Sequence, residues 1–442
     1  MEFSRERYVR KLRERLGNGL VKVITGSRRA GKSYLLNNLF YRDLLDSGVD
    51  ESSILRFAFD SDEDLDLIRG YYPDEETKLR HNDGSYLVNS RKFRAYLKDW
   101  AKGRERIYLL LDEVQLLEDF PSTVNGLLRH RGYEVFVTGS NSKFLSTDIA
   151  TEFRGRGSPI HVLPLSFSEY VEGTGLPPED AWRDYVETGG IPLVACMNTR
   201  YERRRYLELL CEETYLKDVV ARNHVRNTEA LSDVLNICAS LIGSFVNPSR
   251  IADTFGTVLR KNITDDTVSK YIDHFEESFL LSKALRYNVK GRKYIGTPYK
   301  LYFEDPGVRN ARLNFRQIEE THIMENILYN ELRYRGFNVD VGQVPVYSDS
   351  KRTASDGDEA SGFLEVDFVA TSGDSKYYIQ SALSIATPEK ADSEKRPLRS
   401  IDDSFTKVIV TKNRLNPFRD EKGIVTVDLF DFLLDFDSLR HI

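Results

Sequence analysis

Short apolar runs recur along the first third of the chain, each stopped by small or acidic residues. LVKVIT (Leu20 to Thr25) is β-branched and continuous, the pattern of a strand buried on both faces. SSILRFAF, IYLLLDE, YEVFVTGSNS and IHVLPLSF repeat it, so strands are predicted near 20–26, 53–59, 106–111, 133–139 and 159–165. Between the first two lies YLLNNLFYRDLL, whose apolar residues recur with helical spacing. Strands alternating with helices predict a parallel sheet in an α/β domain.

The pattern then changes twice. Residues 178–226 read as helices rich in both charge signs. From about 228 to 303 three amphipathic helices are predicted, LSDVLNICASLIGSFV, NPSRIADTFG and ITDDTVSKYIDHFEESFLL, followed by two strand-like runs joined at Val289 to Arg292. Three helices and a hairpin are the winged form of helix-turn-helix. The last third is α/β again: a helix with Glu325, a strand, a polar stretch from Ser348 to Gly362, then FLEVDFVAT, KYYIQSALSI, TKVIVTK and GIVTVDLFDFLLDF. The fold class is therefore α/β, as a parallel-sheet core at 1–226, a winged helix at 227–317 and a third domain at 318–442.

Composition fits that division. A chain of 442 residues suggests about three domains. With 40% hydrophobic and 30% charged residues it is globular rather than disordered. Lys plus Arg is 63 and Asp plus Glu 69, hence a net charge of −6, which excludes a polycation but leaves local patches open. Three cysteines without metal or disulfide spacing point to a reducing compartment. The longest apolar stretch, Val234 to Ser249, is too short to span a bilayer, and the charged start lacks the apolar core of a signal peptide. A cytoplasmic protein with no membrane partner is expected.

The chemistry concentrates after the first strand. GSRRAGKS (Gly26, Ser27, Arg28, Arg29, Ala30, Gly31, Lys32, Ser33) fits the phosphate-loop pattern with a strand before and a helix after. Its glycines let successive N–H groups face a phosphate, and the helix N-terminus adds a favourable dipole. Lys32 is assigned to the β- and γ-phosphates and the Ser33 hydroxyl to Mg²⁺. IYLLLDE then ends a strand in two carboxylates, with Asp112 to hold Mg²⁺ through water and Glu113 to polarise the attacking water. Ser140 and Asn141, ending the next strand, are placed to reach the γ-phosphate, or they form a plain polar turn. Arg154 and Arg156 are candidates to neutralise transition-state charge, in cis or across a subunit boundary of a homo-oligomer. An apolar run between the phosphate loop and the acidic strand suggests the additional-strand ATPases with a catalytic glutamate. The cofactors are ATP and Mg²⁺; a guanine-reading N-K-x-D motif is not evident.

GSRRAGKS, LLLDEVQ, VTGSNS, FRGR, LPLSFSEY and ETGGIPLV resemble, in that order, the AAA-like ATPases of prokaryotes that carry a C-terminal domain of unknown function. The resemblance spans essentially the whole chain and implies fused ATPase, winged-helix and nuclease-like modules. It implies the nucleotide roles of Lys32, Ser33, Asp112 and Glu113, while Gly189 to Pro192 (GGIP) reads as a structural turn.

Two further regions bear on partners. Between Lys283 and Lys300 stand six basic residues and no acidic one, and Lys290, Arg292 and Lys293 at the hairpin tip suit phosphate contacts with duplex or branched DNA. Against that, the presumed recognition helix is acidic, and a lid or protein-docking role is the alternative. In the last third, Glu325, Asp367 and Gln380 follow the order of the PD-(D/E)XK nuclease signature of a restriction-endonuclease-like fold, with Glu365 a further carboxylate. Ala382 stands where the lysine belongs, so the pattern is damaged, and Lys376 is a neighbouring substitute. The expected function is an ATP-dependent motor or remodeller on nucleic acid. A nucleotide-gated switch that binds a protein, and a working nuclease, are the alternatives.

Overall fold

The computed structural model describes residues 1–80, 84–139, 153, 155–258, 260, 262–291, 293–346 and 362–441, in two compact units, 2–163 and 164–442.

All five strands expected in the first unit are present: β1 (Val21–Thr25), β2 (Ile54–Ala58), β5 (Ile107–Asp112), β6 (Tyr133–Thr138) and β7 (Gly157–His161). A small antiparallel pair, β3 (Lys78–Arg80) and β4 (Tyr86–Val88), lies between β2 and β5 in sequence. The five form one parallel sheet in the order β2-β5-β6-β1-β7. The strand inserted between β1 and β5 is thus β6; the SSILRFAF run makes the edge strand β2. Every residue of β1 and β5 is buried, which is why β5 reads as a continuous apolar run; in β1 the run is interrupted by Lys22, buried in an ion pair with Glu134. Leu109, Leu111, Val135, Val137 and Phe57 share one core with Phe93 and Val124 from the covering helices. Each such side chain contributes about 1.5–3 kcal/mol on burial. The predicted YLLNNLFYRDLL helix runs as Lys32–Tyr34, a π-helical stretch Leu35–Phe40, and Tyr41–Asp46.

The second unit opens with helices Phe167–Thr174, Pro178–Thr188 and Arg200–Leu209. The three helices expected near 228–280 are Thr228–Ser240, Pro248–Thr257 and Asp265–Glu277. A short strand β8 (Phe245–Val246) pairs with the hairpin β9 (Leu281–Asn288) and β10 (Lys293–Phe303) through Tyr299 opposite Val246. Then come helix Glu320–Tyr334, β11 (Asn338–Val346), β12 (Gly362–Ser372), β13 (Ser375–Ala382), β14 (Thr406–Thr411), β15 (Phe418–Arg419) and β16 (Ile424–Asp428).

The boundaries expected near 226 and 318 do not separate compact units, for two physical reasons. First, β9 pairs in parallel with β11, Arg286 opposite Val341, so the hairpin belongs to one nine-stranded sheet, β15-β16-β14-β13-β12-β11-β9-β10-β8. Second, Asp305 at the end of the hairpin accepts from the backbone N–H of Gly190 at 2.7 Å. The chain divides once, after Leu163.

Candidate nucleotide site and a lysine–carboxylate cluster

The phosphate loop leaves the C-terminal end of β1, where Asp112 ends β5 and Thr138 ends β6. Gly26 has φ +138°, and a Cβ there would lie 2.1 Å from the Val162 carbonyl oxygen, so the start of the loop admits glycine alone. Lys32 is buried, and its ammonium donates to the carbonyls of Gly26 at 2.9 Å and Ser27 at 2.8 Å. Ser33 Oγ donates to Asp112 Oδ1 at 3.1 Å, which brings the two expected Mg²⁺ ligands together. Asn37 Nδ2 donates to Asp112 Oδ2 at 3.0 Å, and the Thr138 hydroxyl donates to Asp112 Oδ1. Burial pushes the Asp112 carboxyl above its ordinary value, opposed by the hydrogen bonds from Thr138 and Ser33.

Glu113 follows in a left-handed conformation (φ +50°), its N–H donating to Thr138 Oγ1 at 3.1 Å and its carboxylate accepting from Gln115 Nε2. Asn37 and Thr138 were not singled out from the sequence. Asn37 is four residues after Ser33 on the same helix, a spacing that puts both on one face. Thr138 stands two residues before Ser140 on a strand whose end was expected to face the site.

Ser140, Asn141 and Arg154 lie outside the described residues. Arg156 is described and exposed, and its carbonyl accepts from Val21 N at 2.9 Å. That is the N-terminal end of β1, opposite the phosphate loop and about 16 Å away along five residues of strand. Arg156 therefore does not reach its own chain's phosphate site, which corrects the expectation of a role in cis.

The donor set fits Mg²⁺ and a nucleotide: a hydroxyl and a carboxylate converge, and a buried lysine sits in a glycine-gated loop. A P-loop ATPase core on a parallel sheet is thereby defined. Residues 18–171 match the AAA domain family, and residues 179–319 match a domain of unknown function, DUF8612. An uncharacterized protein of Haemophilus influenzae is 30% identical over 438 residues, 98% of this chain and 98% of its own. The chain belongs to the same family as that protein. The uncharacterized protein MJ1544 of Methanocaldococcus jannaschii is 25% identical over 333 residues, 72% of this chain and 67% of its own. Among solved structures, the Aeropyrum pernix ORC2 protein (ADPNP–ADP complexes) covers 73% of this chain and 93% of its own at 12% identity and TM-score 0.39. The replication initiator DnaA bound to AMPPCP and single-stranded DNA covers 63% and 89% at 17% identity and TM-score 0.31. Scores this low carry no weight for function.

The second unit holds a different polar cluster. Asp367 on β12 accepts from Ser381 N at 2.8 Å, and its own N–H donates to Gln380 Oε1 at 3.4 Å. Glu394, which was not singled out from the sequence, stands beside Gln380; burial pushes its carboxyl up, opposed by the Gln380 side chain. Lys300 of β10 bridges to Glu325 at 2.8 Å and to Glu365 at 2.5 Å. The three residues of the damaged nuclease pattern, Glu325, Asp367 and Gln380, are thus brought into one cluster. The cation inside the cluster comes from the hairpin; Lys376, the neighbouring substitute, has its ammonium over the rings of Phe405 at 4.8 Å and Tyr287 at 5.5 Å instead. Burial alone would depress Lys300, but Glu325, Asp367 and Glu365 together raise it above its ordinary value.

The basic hairpin is correspondingly less positive than its sequence. Lys300 is spent on these carboxylates, and Lys283 pairs with Asp273 and, at 3.2 Å, with Glu276 of the acidic helix. Lys290 is exposed near the tip; Arg292 and the Lys293 side chain lie outside the described set. The arginine cluster at 200–205 is also paired: Arg200 and Arg204 bind Glu187, and Arg203 binds Asp184 at 2.7 Å. Among the described residues no helix is long and apolar enough to cross a membrane.

Proposed function

We propose that the protein is a Mg²⁺-dependent ATPase that couples ATP hydrolysis to a conformational change acting on nucleic acid, with its C-terminal part a degenerate nuclease-like domain. The observation that carries the ATPase reading is the Ser33–Asp112 hydrogen bond, with Glu113 next in the chain. Lys32, released from the Gly26 and Ser27 carbonyls, binds the β- and γ-phosphates, and the loop N–H groups orient them. Mg²⁺, held by Ser33 and through water by Asp112, neutralises phosphate charge when bound. Glu113 orients the attacking water and takes its proton. With Arg156 at the far end of β1, any arginine help from it comes from a neighbouring copy in a homo-oligomer.

Helices Thr228–Ser240, Pro248–Thr257 and Asp265–Glu277 with the β8–β10–β9 ladder support a winged-helix reading for 227–317. Exposed Lys290 supports a phosphate-facing tip. The pairing of Lys283 and Lys300 within the chain favours the second reading, a nucleotide-gated switch whose hairpin docks a protein.

ATPase turnover measured without nucleic acid and with duplex, single-stranded and branched DNA separates the two. Stimulation by any of them is expected. Turnover unchanged by all three would retire the nucleic-acid reading. A change of sedimentation with a non-hydrolysable ATP analogue would then identify the switch.

A further inference from the structure

The Lys300 ammonium sits 2.8 Å from Glu325 Oε1, 2.5 Å from Glu365 Oε1 and 3.9 Å from Asp367 Oδ1, with its side chain only 2% exposed. We propose that Lys300 is a tethered cation filling the place that a divalent metal ion would take among these carboxylates. The cluster is then closed to metal, and it fastens β10 to helix Glu320–Tyr334 and β12 instead of cutting phosphodiesters. None of this depends on nucleotide turnover in residues 2–163.

Three observations converge. An ammonium has donors and no acceptor, and here two carboxylates from two different elements take them directly. One oxygen each of Glu325 and Asp367 also accepts a hydrogen bond from within the chain. Tyr302 OH donates to Glu325 Oε1 at 2.5 Å, Ser381 N–H to Asp367 Oδ2 at 2.8 Å, and position 380 offers an amide in place of a third-strand carboxylate. Mg²⁺ demands a near-octahedral set of oxygens and gives up its waters reluctantly. Among the described residues no group of three Asp, Glu, His or Cys side chains is arranged to hold a metal ion.

The tether decides the competition. Lys300 is held on β10 opposite Ala284, so its charge cannot diffuse away, and a free ion must compete with a permanently high local concentration of ammonium. The cost of burying the charge is met by the carboxylates around it.

The test is a Tb³⁺ titration of the full chain read by tyrosine-sensitised luminescence, with Tyr302 and Tyr329 stacked 4.3 Å apart beside Glu325 as antennae. Mn²⁺ calorimetry gives a second readout. Wild type is expected to show no binding that Asp367→Asn removes, and no cleavage of DNA or RNA with Mg²⁺ or Mn²⁺. Lys300→Ala is expected to bind Tb³⁺ at least tenfold more tightly than wild type, and adding Asp367→Asn to abolish the gain. Lys300→Met keeps the stem volume and removes the charge if the alanine variant does not fold. Asp367-dependent binding of Tb³⁺ or Mn²⁺ by wild type, or Asp367-dependent cleavage, overturns the proposal. Folded Lys300 variants that gain no affinity overturn it as well.

Discussion

The carboxylate of Asp305 accepts a hydrogen bond from the backbone N–H of Gly190 at 2.7 Å, across 115 residues of chain. Its other oxygen accepts from Val308 N at 3.0 Å, at the start of helix Pro306–Arg312. Asn310 adds bonds to the carbonyls of Val186 at 2.8 Å and Glu187 at 2.9 Å. The GGIP stretch is therefore a cradle for a buried carboxylate. Gly189 has φ +72°, and a Cβ there would lie 2.2 Å from Asp305 Oδ1. Gly189→Ala should cost at least about 2 kcal/mol by chemical denaturation, from backbone strain and steric conflict together. A loss below about 0.5 kcal/mol would mean that the turn is tolerant.

Full burial pushes the Asp305 carboxyl up to about 6, against backbone hydrogen bonds from Gly190, Val308, Gly307 and Ile191 that pull it down. A folded value raised above the unfolded one means that stability from this group is fully present below about pH 4. It is lost as pH rises through about 6, by about 3 kcal/mol. Asp305→Asn cannot titrate, so the stability difference between wild type and variant should shrink over that window. A difference that stays constant from pH 4 to pH 7 would contradict the assignment.

Within the nucleotide site, Lys32→Ala should abolish ATP binding in a fluorescent-nucleotide titration. Glu113→Gln should retain binding and lower turnover by about 100-fold or more. Full turnover in Glu113→Gln would move the water-positioning role elsewhere.

Thr138→Val removes the hydroxyl that donates to Asp112 and accepts from Glu113 N–H. A stability loss of about 1–3 kcal/mol is expected, since the buried Asp112 carboxylate loses a donor and the half-buried Glu113 N–H loses one of its two acceptors. The concentration of Mg²⁺ needed for half-maximal turnover should rise with it. Unchanged Mg²⁺ dependence would show that Thr138 only supports the strand end.

Lys22 on β1 and Glu134 on β6 form a buried ion pair at 2.5 Å, and Glu134 also accepts from Gly17 N at 2.9 Å. Lys22→Met should cost about 3–5 kcal/mol, because it leaves an uncompensated buried charge. Adding Glu134→Gln should recover much of that in the same denaturation assay.

The sequence by itself determined the candidate nucleotide site. A phosphate loop needs a strand, a glycine turn and a helix within a few residues, and β1, Gly26 and Lys32–Tyr34 are neighbours in the chain. Short apolar runs stopped by small or acidic residues made β1, β2, β5, β6 and β7 all legible, although their order across the sheet was not. Only the tertiary structure decided where isolated charges go. Lys300 reads as one more positive residue of a basic hairpin until β9 pairs with β11 and carries β10 to Glu325 and Glu365. Arg156 reads as a candidate for phosphate until parallel pairing with β1 places it at the wrong end of the sheet. Local propensity and periodicity specify elements, because they act over a few residues. The partner of a buried charge is chosen by which strands pair across 25 to 115 residues of chain, and no local pattern carries that choice.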